Sequence, residues 1–383
     1  MFVTRWSKLN MNILLSITER CNLRCRYCYY KVSQEDRSAD MSNEVMEAAL
    51  RLTLNRTIEL KQNSITVTFF GGEPLLRFDV ICRGVEYLKG LVNERREELP
   101  EDFFLRFGVN TNGTLLNEEI LDYFRKENFY IYLSLDGPVS RHNISRRTVD
   151  GRGSFSAIEP FIPALTKLDS FVLSVTTRDN IEGLADSVKW LKDRGFSCVQ
   201  NMTDFDGKWT MEDFDRLACE YQKLAEFWYN LKKQGDSFYI QTIQDKITSH
   251  VCQRRQKTYS CDILLGGLGF ATNGGIFPCS RFISSKKNAP YLLGNVLDKN
   301  LSVFDGPIAK EVMEFLENDK EQCAGCGIQY RCCAHECGCV SFYTTGGLKG
   351  VSPEVCNHER ILCAICDEYA LRLQNEGEIE DVL

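Results

Sequence analysis

The sequence predicts an α/β fold, a partial (β/α)6 barrel of the TIM type followed by a small cysteine-rich domain. Short apolar runs alternate with longer amphipathic stretches from Met11 to about Asn201, and twelve of the 18 cysteines lie between Cys252 and Cys366. Repeated βα units imply a parallel sheet whose crossover connections are helices. The change to short glycine-rich runs punctuated by cysteine indicates a second domain.

Six apolar runs are predicted to be the strands of the barrel. They are "NILLSI", "ITVTFF", "FLRFGVN", "YIYLSL", "FVLSVTT" and "CVQNM". The segments between them, such as residues 43–60 and 79–99, place apolar residues at three- and four-residue spacing, as helices that pack on one face do. A further amphipathic helix over residues 211–234 leads out of the barrel. We predict domains at residues 1–235 and 236–383, with the chemistry at the carboxyl ends of the strands.

Composition narrows the classes of partner and location. The net charge of -7 and the pI near 5.4 argue against a nucleic acid or an anionic membrane as partner. The first twenty residues contain neither a signal peptide nor a membrane span, so we expect a cytoplasmic protein with reduced thiols. Metal or cluster ligation is then the leading use of the cysteines, and we expect the scattered Cys82, Cys198 and Cys219 to be buried apolar residues.

Three thiols lie together in "ERCNLRCRYCYY", with the spacing C-x3-C-x2-C formed by Cys21, Cys25 and Cys28. Three thiolates are one ligand short of a closed zinc or four-cysteine cluster site, so they would leave one position open. The alternatives are a zinc site completed by a distant cysteine or histidine, and three thiols that are close in sequence without a shared role. In spacing and order the three cysteines resemble the signature of radical S-adenosylmethionine (radical SAM) enzymes.

The resemblance extends to the loops after the next strands. "FFGGEPLL" resembles the family's Gly-Gly-Glu-Pro motif, which implies that Gly72 and Glu73 meet the amino group of the bound methionine moiety. "NTNGTLL" and "LSLDGP" fall where family members contact the ribose and the methionine carboxylate, which makes Asn112, Ser134 and Arg141 candidates. The resemblance implies that a reduced [4Fe–4S] cluster cleaves S-adenosylmethionine to a 5′-deoxyadenosyl radical, which takes a hydrogen atom from the substrate.

Simpler interpretations of two of these motifs remain open. Glu73 also fits a carboxylate at the N-terminus of a helix, where it would meet unpaired backbone N–H groups. Asp136 and Ser134 also fit a turn, because Asp-Gly-Pro has the composition of one.

The later cysteines resemble the SPASM extension of radical SAM maturases, an iron–sulfur domain. "TNGGIFPC" ends at Cys279 and "CAGCGIQYRC" gives the spacing C-x2-C-x5-C. The resemblance implies a nearer cluster on Cys261, Cys279 and Cys337 with Cys252 as a possible fourth ligand, and an outer cluster on Cys323, Cys326, Cys332 and Cys356.

Three points about these cysteines stay open. The family has three residues between the cysteines that match Cys332 and Cys337, and this chain has four, so Cys333 competes with Cys332 as the ligand. Zinc is the alternative metal for C-x2-C. Cys339, Cys363 and Cys366 are surplus and are interpreted as core thiols.

The resemblance implies a maturase of a ribosomally made peptide, and we expect thioether cross-links from cysteine sulfur to carbon. Sulfatase maturases carry an aspartate directly after the cysteine that matches Cys279, whereas this chain has Ser280 and then Arg281, a candidate substrate contact. The alternatives are formylglycine formation, carbon–carbon cross-linking and a non-enzymatic iron–sulfur electron carrier. The expected cofactors are S-adenosylmethionine and three [4Fe–4S] clusters, one of which binds S-adenosylmethionine. The expected partners are a precursor peptide, an external electron donor and a separate peptide-recognition protein.

Overall fold

The structure is a computed structural model that describes residues 10–28, 39–253, 263–264, 266–286, 288–299 and 301–377. Within these residues no helix is both long enough and apolar enough to span a membrane.

Ten strands are present among the described residues, and the six predicted ones are the first six. The strands are β1 (Met11–Thr18), β2 (Ser64–Gly71), β3 (Phe104–Thr111), β4 (Tyr130–Ser134), β5 (Asp169–Thr176), β6 (Cys198–Thr203), β7 (Tyr239–Ile240), β8 (Gly267–Phe270), β9 (Gly275–Phe277) and β10 (Gly294–Asn295). The last four were not predicted because they are only two to four residues long, and β8, β9 and β10 also contain glycine.

The helices follow the predicted alternation with the strands. They are α1 (Asn43–Glu59), α2 (Phe78–Glu94), α3 (Glu118–Lys126), α4 (Val139–Ser145), α5 (Phe155–Ile158), α6 (Ile162–Leu165), α7 (Leu184–Asp193), α8 (Met211–Lys233), α9 (Gln241–Cys252), α10 (Pro307–Glu317), α11 (Cys333–Glu336), α12 (Gly338–Thr345) and α13 (Pro353–Glu376). Local capping fixes several starts. The Ser42 hydroxyl accepts the Val45 N–H at the start of α1, and Thr210 and Asp213 form a reciprocal capping box at the start of α8.

The chain divides into two compact units. The first contains residues 1–24, 28–132 and 262–316, and the second contains residues 25–27, 133–261 and 317–383. The predicted domains, 1–235 and 236–383, remain a prediction of where the cysteine-rich region begins.

In the first unit the strands follow the order β10-β9-β8-β1-β2-β3. β1 pairs in parallel with β2 and with β8, β2 pairs in parallel with β3, and the short β8, β9 and β10 pair antiparallel. β1 is the centre of the core, because Ile13, Leu15 and Ile17 are all completely buried. The parallel pairing is the one that the alternation of strands and helices predicts, and it directs the carboxyl ends of β1, β2 and β3 to one edge.

In the second unit β5, β6 and β7 pair in parallel. α13 packs against α8 and α9, and Trp228, Tyr221 and Tyr369 are among the largest side chains buried there. The prediction that Cys219 is buried is wrong. Its thiol is exposed because Cys219 lies on the solvent side of α8, whereas Leu217 and Tyr221 face the core. Cys82 and Cys198 are half-buried.

Candidate active site and cofactor-binding residues

The glycine loop after β2 is packed directly on the backbone that leads into the first cysteines. The Gly72 N–H donates to the Thr18 carbonyl at 2.8 Å, and the Glu73 N–H donates to the Arg20 carbonyl at 2.8 Å. A Cβ atom on Gly72 would lie 2.3 Å from the Arg20 carbonyl oxygen, closer than real Cβ contacts come. Gly71 has a φ of 136°, a conformation that favours glycine. Both glycines are therefore needed to bring Glu73 next to the residue that precedes Cys21.

Glu73 is completely buried and its carboxylate accepts hydrogen bonds from neutral donors. Oε1 accepts the Thr111 hydroxyl at 2.6 Å and the Leu75 N–H at 3.1 Å, and Oε2 accepts the Asn112 N–H at 2.7 Å. Burial raises the pKa of Glu73 to about 7, against the effect of these three hydrogen bonds. The carboxylate does cap the short helix that starts at Pro74, as the simpler interpretation expects. Its burial beside neutral groups also fits an ammonium ligand, which would stabilise the charged form.

The raised pKa of Glu73 predicts how the stability of the ligand-free protein changes with pH. The pKa is about 7 in the folded chain and roughly 4.3 in an unfolded one. A raised carboxyl pKa gives stability that is present below the unfolded value and is lost as pH rises through the folded value. We expect the wild type to lose up to about 3 kcal/mol relative to Glu73→Gln between pH 5 and pH 8. Melting curves of both proteins across this range test it, and parallel pH profiles would contradict it.

Asn112, which follows β3, contacts the residue next to Cys21. Its side-chain amide donates to Asn22 Oδ1 at 2.9 Å, and the Asn22 amide donates to the Thr114 hydroxyl at 2.8 Å. The Thr114 hydroxyl donates in turn to Asn112 Oδ1 at 2.6 Å. The Cys21 sulfur accepts the Leu23 N–H at 3.4 Å. This closed set of hydrogen bonds joins the loop after β3 to the first cysteine.

In the second unit a buried ion pair fixes the middle of the cysteine loop. Arg146 donates to both carboxylate oxygens of Asp136, at 3.0 and 3.1 Å, and Asp136 also accepts the Val175 N–H at 2.9 Å. The Tyr27 hydroxyl donates to Asp136 at 3.0 Å, and the Arg26 N–H donates to the Ser145 carbonyl at 3.1 Å. Although burial opposes ionisation, the Arg146 charge holds the pKa of Asp136 below its usual range.

This ion pair was missed by sequence analysis, which treated Asp136 only as a candidate turn residue. The signal that could have found it is an acidic residue at the end of a buried strand, ten positions before Arg146. Both partners are almost completely shielded from solvent, which is uncommon for charged side chains unless they are paired. Asp136 therefore does more than shape the turn.

Ser134 and Arg141 lie in the second unit, where Ser134 is half-buried at the end of β4. Arg141 is buried and donates to the Asn180 and Asp136 carbonyls at 3.0 and 2.5 Å. It also donates to the Ser174 and Thr176 hydroxyls, at 3.3 and 2.9 Å. These four acceptors are neutral, which is compatible with an additional anionic ligand. The assembly of Ser134 and Arg141 with Gly72, Glu73 and Asn112 into one cofactor site stays a prediction.

A polar cavity of about 610 Å³ lies at the carboxyl ends of β5 and β6 in the second unit. Arg26 and Tyr27 of the cysteine loop line it, together with charged side chains from the first turns of α8 and from the loops before it. Asp213 accepts from Arg178 at 2.6 Å and from Arg216 at 3.0 Å, and all three line the cavity. A cavity with this lining fits a polar ligand better than an apolar one.

Several of the later cysteines are neighbours within the second unit. Cys323, at the end of a 3-10 turn, is close enough to Cys326 and Cys356 for their charges to raise its pKa, although burial is the larger cause. The Cys332 sulfur accepts the N–H groups of Ala334 and His335 at the start of α11. Sulfur that accepts backbone N–H groups is suited to carry thiolate charge.

The adjacent Cys332 and Cys333 have different surroundings. Cys332 is 6% exposed and packs with Ala334, Val340 and Val355 in an apolar cluster. The Cys333 thiol hydrogen-bonds to Cys337, and its N–H donates to Glu359 at 2.6 Å. The choice of ligand between them stays open.

The remaining cysteines of the expected set are spread over both units. The Cys337 sulfur lies 3.2 Å from that of Cys339, and Cys339, Cys363 and Cys366 are buried, as core thiols are. Cys252 ends α9, and Cys279 belongs to the first unit, where the half-buried Arg281 follows it in a 3-10 turn. Cys261 lies outside the described residues.

Within the described ranges no three or more His, Cys, Asp or Glu side chains converge to hold one metal ion. A cubane binds each thiolate through a different iron, so its ligands do not converge on a point. Iron–sulfur ligation by these thiols, with zinc as the alternative, stays a prediction. The ligand assignments themselves remain predictions.

The chain is similar to a known family and to a known enzyme. The model of the Radical SAM superfamily matches residues 15–218, more than half of the chain. The cysteine-type anaerobic sulfatase-maturating enzyme of Clostridium perfringens (strain ATCC 13124) is 23% identical over 336 residues, which cover 83% of this chain and 85% of that protein.

Two solved structures share the fold at lower identity. Native anSMEcpe with bound AdoMet and Cp18Cys peptide matches with a TM-score of 0.77 and 20% identity, over 96% of this chain and 99% of that one. Streptococcus suis SuiB bound to the precursor peptide SuiA matches with a TM-score of 0.59 and 16% identity, over 91% of this chain and 76% of that one. These likenesses confirm the predicted α/β fold with a partial barrel.

Proposed function

Because this chain belongs to the radical SAM superfamily, we propose that it is a maturase that forms thioether cross-links in a cysteine-containing, ribosomally made peptide. The observation that carries the use of S-adenosylmethionine is the buried Glu73 carboxylate, held by neutral donors on a loop that is hydrogen-bonded to the residue before Cys21. The family makes the chain an enzyme that uses S-adenosylmethionine rather than a simple electron carrier.

Different residues of the chain would bind the cluster and S-adenosylmethionine. Cys21, Cys25 and Cys28 would hold a [4Fe–4S] cluster, and Glu73 would accept hydrogen bonds from the amino group of S-adenosylmethionine. The cluster and S-adenosylmethionine, when bound, supply a one-electron cleavage of the sulfonium and an acceptor for a substrate hydrogen atom. Asn112, Ser134 and Arg141 are the remaining candidates for contacts to the cofactor.

The Asp136–Arg146 pair has a positioning role in this proposal. By accepting the Tyr27 hydroxyl, Asp136 limits the movement of the segment between Cys25 and Cys28. The cavity at the ends of β5 and β6, which includes Tyr27, is where we propose that the peptide binds. Its arginines and aspartates suit the carbonyl and amide groups of an extended peptide.

Support for thioether chemistry comes from the residues after Cys279. Ser280 and Arg281 stand where sulfatase maturases carry an aspartate. The second candidate is formylglycine formation on a sulfatase, which the likeness to the Clostridium perfringens enzyme over 83% of the chain favours. Two auxiliary [4Fe–4S] clusters, an external electron donor, a separate peptide-recognition protein and a cytoplasmic location belong to the same proposal.

The accurate mass of a candidate substrate, measured after its co-expression with the enzyme, tests the proposal. Cysteine-containing peptides encoded beside the gene, and a sulfatase segment with its target cysteine, are produced with the enzyme and then alkylated. We expect loss of two hydrogens per cross-link and a cysteine that resists alkylation. Replacement of sulfur by oxygen together with the loss of two hydrogens, which gives a hydrazide-reactive aldehyde, would favour formylglycine. Loss of two hydrogens with every cysteine still alkylated would favour a carbon–carbon bond. The Cys25→Ala enzyme is the matched control.

A further inference from the structure

Lys320 is a buried lysine within the cysteine-rich part of the second unit. Its side chain is 3% exposed, and Nζ donates to the Ala334 carbonyl at 2.8 Å, to the Gly350 carbonyl at 3.1 Å and to the Ser341 hydroxyl. Three acceptors from three separate segments hold the ammonium in one place. A lysine is seldom buried to this extent unless charge or hydrogen bonding compensates for its desolvation.

The ammonium lies among thiols. Ala334, whose carbonyl it contacts, stands in α11 between Cys333 and Cys337, and the Lys320 carbonyl accepts the Cys323 N–H at 2.9 Å. Burial lowers the pKa of Lys320, and four neighbouring cysteines act against it, namely Cys323, Cys337, Cys333 and Cys332. The ammonium is therefore held against the helix that begins at Cys333, and it lies within electrostatic range of these four thiols.

We propose that Lys320 is the buried counter-cation of the auxiliary iron–sulfur region and raises the reduction potential of the outer cluster, for which Cys323 and Cys332 are two of the expected ligands. The inference rests on the proposed auxiliary clusters but goes beyond the bond that the enzyme forms. Lys320 acts in this proposal through its charge and not as a cluster ligand, since carbonyl and hydroxyl oxygens hold Nζ in place.

The physical reason is electrostatic. Reduction of a cluster adds one negative charge, which a nearby ammonium stabilises, most strongly where water is excluded. Net charge and hydrogen bonding around the sulfurs are among the factors that set cluster potentials. A higher potential would make the outer cluster a better acceptor of one electron.

Redox titration of purified, cluster-replete protein followed by electron paramagnetic resonance tests the proposal without any substrate. The variants are Lys320→Met, which keeps the length of the side chain and removes its charge, and Lys320→Arg, which keeps the charge. Lys310→Met, at an exposed lysine, is the matched control. For Lys320→Met we expect the equilibrium between reduced and oxidised cluster to shift at least tenfold toward the oxidised form. This lowers the reduction potential by about 59 mV for one electron. The arginine and control variants should stay near wild type.

Each other outcome also decides the matter. An unchanged potential in Lys320→Met with full iron content overturns the proposal. If Lys320→Met loses iron, Lys320→Gln replaces it in the titration. Iron retained only by Lys320→Arg supports a need for the charge. Iron lost from all three variants indicates that Lys320 has a packing role and overturns the proposal. A wild type with roughly four rather than twelve irons per chain lacks the auxiliary clusters, and so overturns the premise. Failure to modify a peptide, by contrast, concerns only the proposed function.

Discussion

Alanine in place of Gly72 is expected to weaken binding of S-adenosylmethionine on the order of 100-fold, equivalent to about 2.8 kcal/mol. The new methyl group would lie 2.3 Å from the Arg20 carbonyl oxygen and 2.7 Å from that of Glu19. These are backbone atoms, so the overlap is relieved only by separating the glycine loop from the segment that leads to Cys21. The separation breaks the hydrogen bond from the Glu73 N–H to Arg20 and displaces the Glu73 carboxylate.

Equilibrium binding of S-adenosylmethionine to cluster-replete protein measures this effect. Gly90→Ala is the matched control, because Gly90 lies in α2 and no atom stands within 4 Å of a Cβ placed there. That variant should bind like the wild type and gain roughly 0.5–1 kcal/mol of stability, as alanine does over glycine in a helix. Normal binding by Gly72→Ala would show that the close packing of the two loops has no role in the cofactor site.

The second large effect is expected for Cys25→Ala. Removal of one of three thiolates leaves the first cluster without a stable attachment, so iron content should fall by about a third if three clusters are present. Formation of 5′-deoxyadenosine should fall roughly 1000-fold or more, a barrier increase of about 4 kcal/mol. The auxiliary signals should persist, because Cys323, Cys326 and Cys356 form their own group.

The exposed thiol of Cys219 supplies the control for this experiment. Cys219→Ala removes a thiol from the solvent side of α8 and should leave iron content and turnover at wild-type values. Iron assays and chromatographic detection of 5′-deoxyadenosine measure both variants. If Cys25→Ala kept full turnover, the three-cysteine motif would have no part in cleaving the cofactor.

The barrel could be predicted from the sequence because its strands carry long apolar runs. β1, β2 and β5 each have eight residues with alternating or continuous burial, a pattern that a parallel sheet covered by helices requires. β7 and β10 have two residues each, too few for any periodicity to be detected. Their formation depends on neighbouring strands that are distant in sequence.

The candidate site was predictable in its motifs and not in its supporting contacts. Gly72 and Glu73 are conspicuous because two glycines and a carboxylate follow a buried strand. The pairing of Asp136 with Arg146 depends on how α4 returns toward β4 and β5, and a buried lysine such as Lys320 has the same sequence appearance as an exposed one. Burial and charge pairing are properties of tertiary packing, so local sequence does not encode them.

Transfer of deuterium from the peptide to the cofactor product tests whether the radical takes its hydrogen atom from the peptide. The enzyme, a chemical reductant and S-adenosylmethionine are incubated with a cysteine-containing peptide that is deuterated at the carbons of its candidate residues. We expect 5′-deoxyadenosine to gain one deuterium as the peptide is modified. Peptide modification without deuterium in 5′-deoxyadenosine would contradict abstraction of a hydrogen atom from the peptide. Cleavage of the cofactor without deuterium transfer from any peptide tested would contradict it as well.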